Sequence, residues 1–256
     1  MNGAFDVAAV GLRAQQDALD ILANNIANIN TPSFKRSQVR FAEVLARTND
    51  ANAAAANLTP PTPLSSAAAD AAIALNQQGE IVRTGAPLDL AINGDGFIEL
   101  LGPRGQTYLW RGGALSIMSD GMLAGPDGLP LRAQITIPEE ASNFTIAANG
   151  VISAQTPGQD QPHELGQITL VSVTGADALE RLDGGLYRVI DVAAMREGAP
   201  DQGGLGALVQ GGLERSNVEL SDEMIQLMLV QRAFAANAQV VQAADQLMAI
   251  SNTLRK

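Results

Sequence analysis

The sequence predicts an α+β protein in which long N- and C-terminal α-helices form a coiled-coil-like pair and flank a central all-β domain of short antiparallel strands. Three observations support this prediction. Apolar residues recur every 3.5 residues on average near the first end of the chain, and they do so again near the second. Between the ends, Asp-Gly and Asn-Gly dipeptides separate short runs of β-forming residues, which is typical of antiparallel hairpins.

The N-terminal part predicts one long helix over residues 4–29. Pro32 ends it, because proline has no backbone N–H for the helical ladder and also restricts the residue before it. Apolar residues form a narrow stripe along this helix, and such a stripe needs a partner. The stripe residues that we expect to form an assembly seam are Leu12, Leu19, Leu22, Ile26 and Ile29.

The next stretch differs in composition from the helix. Residues 34–46 form a shorter amphipathic segment, and residues 49–72 are mostly Ala, Pro, Thr and Ser, which predicts a loop or linker. Lys35, Arg36 and Arg40 form a small basic cluster. We expect this cluster to be a solvated face, and the alternative is pairing with the acidic surface of a neighbouring copy.

Residues 79–197 carry the signals of the β-domain. The turn dipeptides are Asp95-Gly96, Asp120-Gly121, Asp127-Gly128, Asn149-Gly150 and Asp183-Gly184. These pairs tolerate positive φ and favour tight turns. The β-like runs between them are 97–101, 108–111, 115–118, 135–137, 144–146, 167–173 and 186–190.

The C-terminal part predicts a second long helix over residues 218–254. Ser216 followed by Glu219 has the spacing of a capping box at its start. The apolar residues of this helix that we expect to join the seam are Leu227, Phe234, Ala238 and Val241.

These elements divide the chain into three parts. The terminal helical domain comprises residues 1–30 plus 218–256, and the β-rich domain comprises residues 79–197. Residues 31–78 plus 198–217 form a connecting segment that includes the low-complexity linker.

Composition excludes several classes of function. The chain has 256 residues, no cysteine and a formal net charge of −11. Lack of cysteine excludes disulfides, thiolate metal sites and thiol catalysis, and the acidic balance argues against nucleic-acid binding, which needs a basic face. No run approaches the roughly 18 apolar residues of a membrane span, and the N-terminus lacks the features of a cleavable signal peptide. We therefore expect neither membrane insertion nor a cleaved leader.

Candidate catalytic residues are few. His163 is the single histidine and lies in a polar, proline-containing segment, where we expect a solvated loop. Glu139 and Glu140 are adjacent, so their carboxylates do not converge on one point. The segment Gly94-Asp95-Gly96 lacks the third glycine and the following helix of a dinucleotide site, which favours a hairpin turn. We expect no catalytic residue, no metal and no cofactor.

Three segments resemble one known family. The stretch ANNIANINTPSFKRS (23–37) resembles the N-terminal signature of bacterial flagellar rod, hook and hook-associated axial proteins. LDLAINGDGF (88–97) is similar to the second signature of that family, at the entry to its β-domain. Residues 216–248 resemble its C-terminal helix, and the three segments occur in the order found in the family.

The resemblance assigns signature positions in this sequence. These are Asn24, Asn25, Asn28, Thr31, Phe34 and Lys35 at the front, and Ser216, Asn217, Val218, Glu223, Met224, Gln231, Arg232 and Phe234 at the back. One departure is visible, because family members usually carry Gly directly before the Phe, where this chain has Pro32-Ser33. We therefore expect a turn of altered shape.

The resemblance implies a structural subunit of the flagellar basal body, built into a tube with copies of itself and with other rod and hook proteins. In that family the terminal helices form the inner tube, and subunits are exported unfolded through the flagellar type III export apparatus to the rod, which spans the periplasm. Within the family, chain length and residues 229–248 most resemble the distal rod type, and a proximal rod or hook protein is the alternative. Outside the family, an adhesion module with a helical anchor is the other alternative, followed by a β-rich hydrolase.

Overall fold

The computed structural model describes residues 2–45, 65–75, 77–138, 140–156, 161–175 and 178–253. The chain forms two compact units. The first contains the terminal helices and residues 37–72, and the second contains Asn28–Arg36 and Ile73–Val218. The three-part division expected from the sequence stays a prediction.

Two α-helices occupy the ends of the described chain, α1 over Asn2–Ala27 and α2 over Leu220–Thr253. The strands between them are β1 Ser37–Leu45, β2 Ser65–Ile73, β3 Ile81–Arg83, β4 Asp89–Asn93, β5 Phe97–Leu101, β6 Thr107–Trp110, β7 Gly112–Ala114, β8 Ser116–Ile117, β9 Leu123–Ala124, β10 Ser142–Ile146, β11 Val151–Gln155, β12 His163–Gln167, β13 Leu170–Val173, β14 Leu179–Arg181, β15 Leu186–Val189, β16 Met195–Gly198, β17 Ala207–Gln210 and β18 Gly212–Glu214. The presence of two helices and of antiparallel strands confirms the α+β class, and the coiled-coil-like pairing of the helices stays a prediction.

Both predicted helices are present, with shifted ends. Helix α1 ends at Ala27, so Ile29 lies beyond it and does not extend its apolar stripe. Helix α2 begins at Leu220, which makes the predicted capping box wrong. Ser216 Oγ instead accepts a hydrogen bond from Val218 N at 3.3 Å, which is a local turn of the kind that serine favours outside helices.

The first unit adds a two-stranded ribbon, β1–β2, to its helices. The predicted loop over residues 49–72 is therefore wrong from Ser65 onward, because a run of small residues pairs as a strand there. Residues 49–64 lie outside the described part of the chain. The amphipathic segment that we expected after Phe34 forms strand β1 over Ser37–Leu45.

The second unit is built on a six-stranded sheet with the order β14-β15-β6-β5-β13-β16. All five pairs of neighbouring strands in this sheet are antiparallel. Two three-stranded sheets, β17-β4-β7 and β10-β11-β12, and the ribbons β18–β3 and β8–β9 complete the unit.

Apolar side chains cover both faces of the six-stranded sheet. Because side chains alternate along a strand, Ile98 of β5 and Phe97 beside it lie on opposite faces. Ile98 belongs to the main core with Trp110 and Leu170, and Phe97 belongs to a second cluster that includes Tyr187. The sheet is therefore an interior layer of this unit.

Most of the turn dipeptides lie between consecutive strands, as predicted. Asn149-Gly150 joins β10 to β11, Asp120-Gly121 joins β8 to β9, and Asp183-Gly184 joins β14 to β15. Asp95-Gly96 is different, because the strands on either side of it, β4 and β5, belong to different sheets. The hairpin expected there is wrong, and the segment is a corner.

The glycines of this corner explain why the chain can turn there. Gly94 and Gly96 have φ of 118° and 130°, which side chains rarely adopt. A Cβ on Gly94 would lie 2.7 Å from Gly206 Cα, so two backbone segments meet at this point.

Strand prediction succeeded where the β signal was strong. The run 97–101 coincides with β5, whereas the run 135–137 contains only an isolated bridge at Thr136. His163 begins β12 and is exposed, so the loop expected around it is wrong at that residue.

No helix in the described ranges is both long and apolar enough to span a membrane.

Candidate assembly site

Helices α1 and α2 pack against each other in opposite directions within the first unit. Near the end of α1, Asn25 Nδ2 lies 3.2 Å from Glu223 Oε2 in the first turn of α2. Near its start, a Cβ on Gly11 would lie 2.9 Å from the side chain of Asn237. The pairing therefore runs antiparallel, with a small apolar cluster of Ala18, Leu22 and Val230 between these two points.

The sequence-predicted seam residues lie in several environments. Leu22 is fully buried, and Leu19 and Leu227 pack beside it. The remaining seam positions on the helices that are half-buried are Leu12, Ile26, Ala238 and Val241. Phe234 is 44% exposed. Their role as an assembly seam stays a prediction.

The residues that α1 buries are mostly not those of the predicted stripe. The helix buries Ala14, Gln15, Ala18, Leu22 and Asn25. Two of these are polar, and Gln15 Oε1 has no hydrogen-bond partner among the described residues. The buried face thus consists of two alanines, two polar residues and Leu22, and Leu12, Leu19 and Ile26 are only half-buried.

Helix α2 has large apolar side chains on its outside. Those that are roughly half exposed are Leu220, Met224, Ile225, Met228, Leu229, Phe234, Val240 and Ile250. They lie on several sides of the helix, whereas a surface helix of a monomeric protein has a single apolar face. A helix that is apolar all round is normally buried.

Asn25 explains one part of the N-terminal signature. Its side chain accepts from Ser37 N at 2.9 Å and donates to Ser37 O at 2.8 Å, so it pairs with both backbone groups at the start of β1. The same amide contacts the buried carboxylate of Glu223. Asn is suited to this position because its side chain both donates and accepts.

The signature residues after α1 form a turn in the second unit. Thr31 Oγ1 donates to Asn28 Oδ1 at 3.1 Å, and Thr31 N donates to Asn28 O at the same distance. Ser33 follows with φ of 58°, in the left-handed region that favours glycine. This conformation fits the glycine that the family resemblance implies directly before the Phe.

The turn places residues 33–36 beside residues 214–217. Ser33 N donates to Glu214 O at 2.7 Å, and Asn217 N donates to Phe34 O at 3.3 Å. Arg36 N donates to Asn217 Oδ1 at 2.6 Å. We call residues 28–36 and 214–218 the signature junction, because the front and back signature segments meet in it.

Lys35 is at the centre of the signature junction. It is 1% exposed, and its ammonium lies 2.7 Å from Glu214 Oε1 and donates to Gln77 O at 2.8 Å. The solvated basic face expected for this residue is wrong, and so is its pairing with another copy, because its partner is a carboxylate of the same chain. Burial lowers the pKa of Lys35 from its usual 10.5; Arg111 adds to this, while Glu214 opposes it.

Arg111 also belongs to this group of buried charges, and the sequence did not predict it. Its Nε lies 3.2 Å from Glu214 Oε2, so one carboxylate holds two cations. Its guanidinium also donates to Gly94 O and Gly96 O, which fixes the corner between β4 and β5. The sequence did contain one indication of this role. Arg111 directly follows the apolar strand β6, and a charged side chain that is buried at such a position needs an ionic partner.

A second arginine, Arg181, contacts Phe34, the aromatic residue of the signature junction. The Arg181 guanidinium lies 4.4 Å from the ring centre of Phe34 and donates to Lys35 O. Phe34 is buried, which explains an aromatic residue at this signature position. A cation over an aromatic face contributes about 0.5–2 kcal/mol.

The other signature positions differ in exposure. Val218 is buried, Ser216 is half-buried, and Asn24, Met224, Gln231 and Arg232 are exposed on the two helices. No group of three or more His, Asp or Glu side chains suited to a metal ion occurs among the described residues.

Comparison with known proteins gives three matches, each of which overlaps one of the three segments found in the sequence. The family model described as "Flagella basal body rod protein" matches residues 5–35, and "Flagellar hook protein FlgE/F/G D1 domain" matches residues 91–154. "Flagellar basal body rod FlgEFG protein C-terminal" matches residues 209–254.

Similarity to individual proteins covers nearly the whole chain. The flagellar basal-body rod protein FlgG of Caulobacter vibrioides is 33% identical, covering 98% of this chain and 99% of the relative. FlgG of Borreliella burgdorferi is 31% identical with 100% of both chains covered, and FlgG of Bacillus subtilis is 32% identical with 93% of both covered. The chain therefore belongs to the flagellar basal-body rod protein family.

Proposed function

We propose that this chain is a structural subunit of the distal rod of the bacterial flagellum, where it assembles with copies of itself into a helical tube that transmits torque. Its membership in the rod protein family and its FlgG-named relatives support this. The proposal includes other rod and hook proteins as axial neighbours and the flagellar type III apparatus as the export route.

The observation that carries the proposal is the apolar exterior of α2. Met224, Met228 and Phe234 are 53%, 52% and 44% exposed in the single chain. Full burial of each side chain is worth about 1.5–3 kcal/mol. Contact with further copies removes this surface from water, and repetition of the contact along the rod gives a continuous helical wall.

The mechanism is mechanical, and we assign it to the helix pair. The antiparallel contact between α1 and α2 extends over points from Gly11 to Asn25, so axial load on one helix passes to the other. We infer coiled-coil-like packing for this pair once other copies surround it. The β-rich unit then sets the lateral contacts and the stiffness of the rod.

The same proposal assigns no enzymatic activity, no cofactor and no nucleic-acid partner. The formal net charge of −11 opposes the binding of phosphate backbones. The buried ionic groups Lys35, Glu214 and Arg111 satisfy one another, which is a structural arrangement.

The test is assembly of the full-length chain with altered α2. Replacement of Met224, Met228 and Phe234 by Gln removes exposed apolar surface, so we expect folded monomers and no tubes by electron microscopy and sedimentation. The matched control replaces the exposed polar residues Ser221, Gln226 and Gln239 of the same helix by Ala, and it should form tubes.

Two outcomes contradict the proposal. Tubes of normal diameter from the triple Gln variant, or from a chain lacking residues 220–256, would show that α2 is not part of the assembly. A wild-type chain that remains a monomer or a small closed oligomer at high concentration would favour an adhesion module with a helical anchor.

A further inference from the structure

The side of α2 that faces away from α1 carries a regular row of residues. We call Ile225, Leu229, Arg232, Ala236 and Val240 the outer stripe. They are spaced by four, three, four and four positions, so they lie along one face of a helix. Ile225, Leu229 and Val240 are 52%, 54% and 54% exposed.

The intrachain contacts of α2 establish that this face is the outer one. Glu223, Leu227 and Val230 contact α1. Residues two positions further along a helix lie about 200° around its axis. Ile225, Leu229 and Arg232 are therefore opposite the face that α1 occupies.

A cation lies in the middle of the apolar outer stripe. Arg232 is exposed and has no ion-pair partner among the described residues. A stripe that is buried by a neighbour would bury this charge as well, at a cost unless an anion lies opposite. The surface that covers the outer stripe must therefore supply a carboxylate.

The exposed side of α1 has the matching features. Asp20 is exposed and, like Arg232, lacks an ion-pair partner within the described ranges. Ala23 and Ala27 follow at spacings of three and four, are exposed, and are small enough for another helix to approach closely. Leu12, half-buried, lies two turns before Asp20.

Resting on the proposed rod function, we propose that the outer stripe of α2 binds the exposed side of α1 in a second copy, with Arg232 opposite Asp20. Copies that point the same way along a tube bring α2 of one chain antiparallel to α1 of the next, because α1 and α2 are antiparallel in each chain. In this register Leu229 lies over Ala23, Ile225 over Ala27 and Val240 over Leu12. Leu229 and Ile225 each meet an alanine, Val240 meets another apolar residue, and the two opposite charges meet.

An engineered disulfide tests the register directly. The chain contains no cysteine, so two introduced thiols report only on their own pair. The variant A23C/L229C, assembled and then oxidised, should give a ladder of covalent oligomers on a non-reducing gel. The two positions lie on opposite outer faces within one chain, so dilute monomer should not cross-link. The matched control is A27C/A236C, which uses the same two faces out of register and should give no ladder.

Charge exchange tests the ion pair. We expect R232E to raise the critical concentration for assembly by about tenfold or more, because Asp20 then faces a like charge. The double variant D20R/R232E restores the opposite charges and should recover most of the assembly. Circular dichroism of the monomers checks that all variants fold alike.

The outcomes separate this inference from the function on which it rests. Tubes of A23C/L229C without a ladder, or R232E that assembles like the wild-type chain, would overturn the proposed interface and leave the rod function standing. If the wild-type chain forms no tubes under any condition, the rod function fails and this interface fails with it.

Discussion

Replacement of Ser33 by Gly should make the protein more stable, although the change only removes atoms. Ser33 has φ of 58°, and a left-handed conformation costs an ordinary residue about 1–2 kcal/mol. Its hydroxyl is buried and has no hydrogen-bond partner among the described residues, which costs about 1 kcal/mol more. The hydrogen bond from Ser33 N to Glu214 O is a backbone contact that Gly retains.

Glycine also has a cost, which sets the net effect. The unfolded chain gains freedom when Gly replaces Ser, and this lowers stability by about 0.5–1 kcal/mol. The net expectation for S33G is an unfolding free energy higher by about 1–2 kcal/mol. For a chain of this size, that corresponds to a rise in Tm of about 2–8 °C.

The assay is urea unfolding of the full-length monomer, followed by the fluorescence of Trp110. This is the single tryptophan of the chain, and it is buried in the same unit as Ser33. The variant S33A is the control, because it removes the hydroxyl but keeps the strained backbone. If S33G is no more stable than the wild type, or if S33A gains as much as S33G, the strain argument is refuted.

Three further predictions concern the buried polar groups. E214Q leaves the cations of Lys35 and Arg111 without their anion, so we expect the unfolding free energy in urea to fall by about 3–5 kcal/mol; a change below 1 kcal/mol would contradict this. N25A removes two hydrogen bonds to buried backbone and should cost about 2–3 kcal/mol in the same assay, whereas N30A, an exposed control, should change stability by less than about 0.5 kcal/mol. The lowered pKa of Lys35 means that the unfolded chain binds more protons between that pKa and 10.5, so its contribution to the unfolding free energy rises with pH in this window. K35M should remove this contribution, and identical pH profiles of thermal unfolding for K35M and the wild type would exclude it.

The elements with a strong periodic signal were predictable from the sequence. The heptad spacing placed both helices to within a few residues at each end, and the β-branched and aromatic run 97–101 placed β5. Strands such as β7, with the sequence GGA, have low intrinsic β-propensity. They form because the neighbouring backbone, here β4, supplies hydrogen-bond partners, and that information is not local.

The candidate site was predictable only in part, for two physical reasons. The ion pair between Lys35 and Glu214 joins residues 179 positions apart, and no local pattern relates them. On α2, apolar residues occur on all sides, so a repeat of seven cannot show which side faces α1 and which faces outward. The departure at Ser33 was visible in the sequence, but its meaning, a left-handed backbone, needed the structure.

The separation of Lys35 from Glu214 has a consequence for the order of events during folding. Glu214 pairs with Lys35 and Arg111, and both of these residues are synthesised before it. Lys35 precedes Glu214 by 179 positions. A nascent chain therefore cannot form this ion pair until about four-fifths of its length has been made. Closure of so long a loop is entropically costly and slow. The Lys35–Glu214 ion pair is thus among the later contacts that can form as the chain is made.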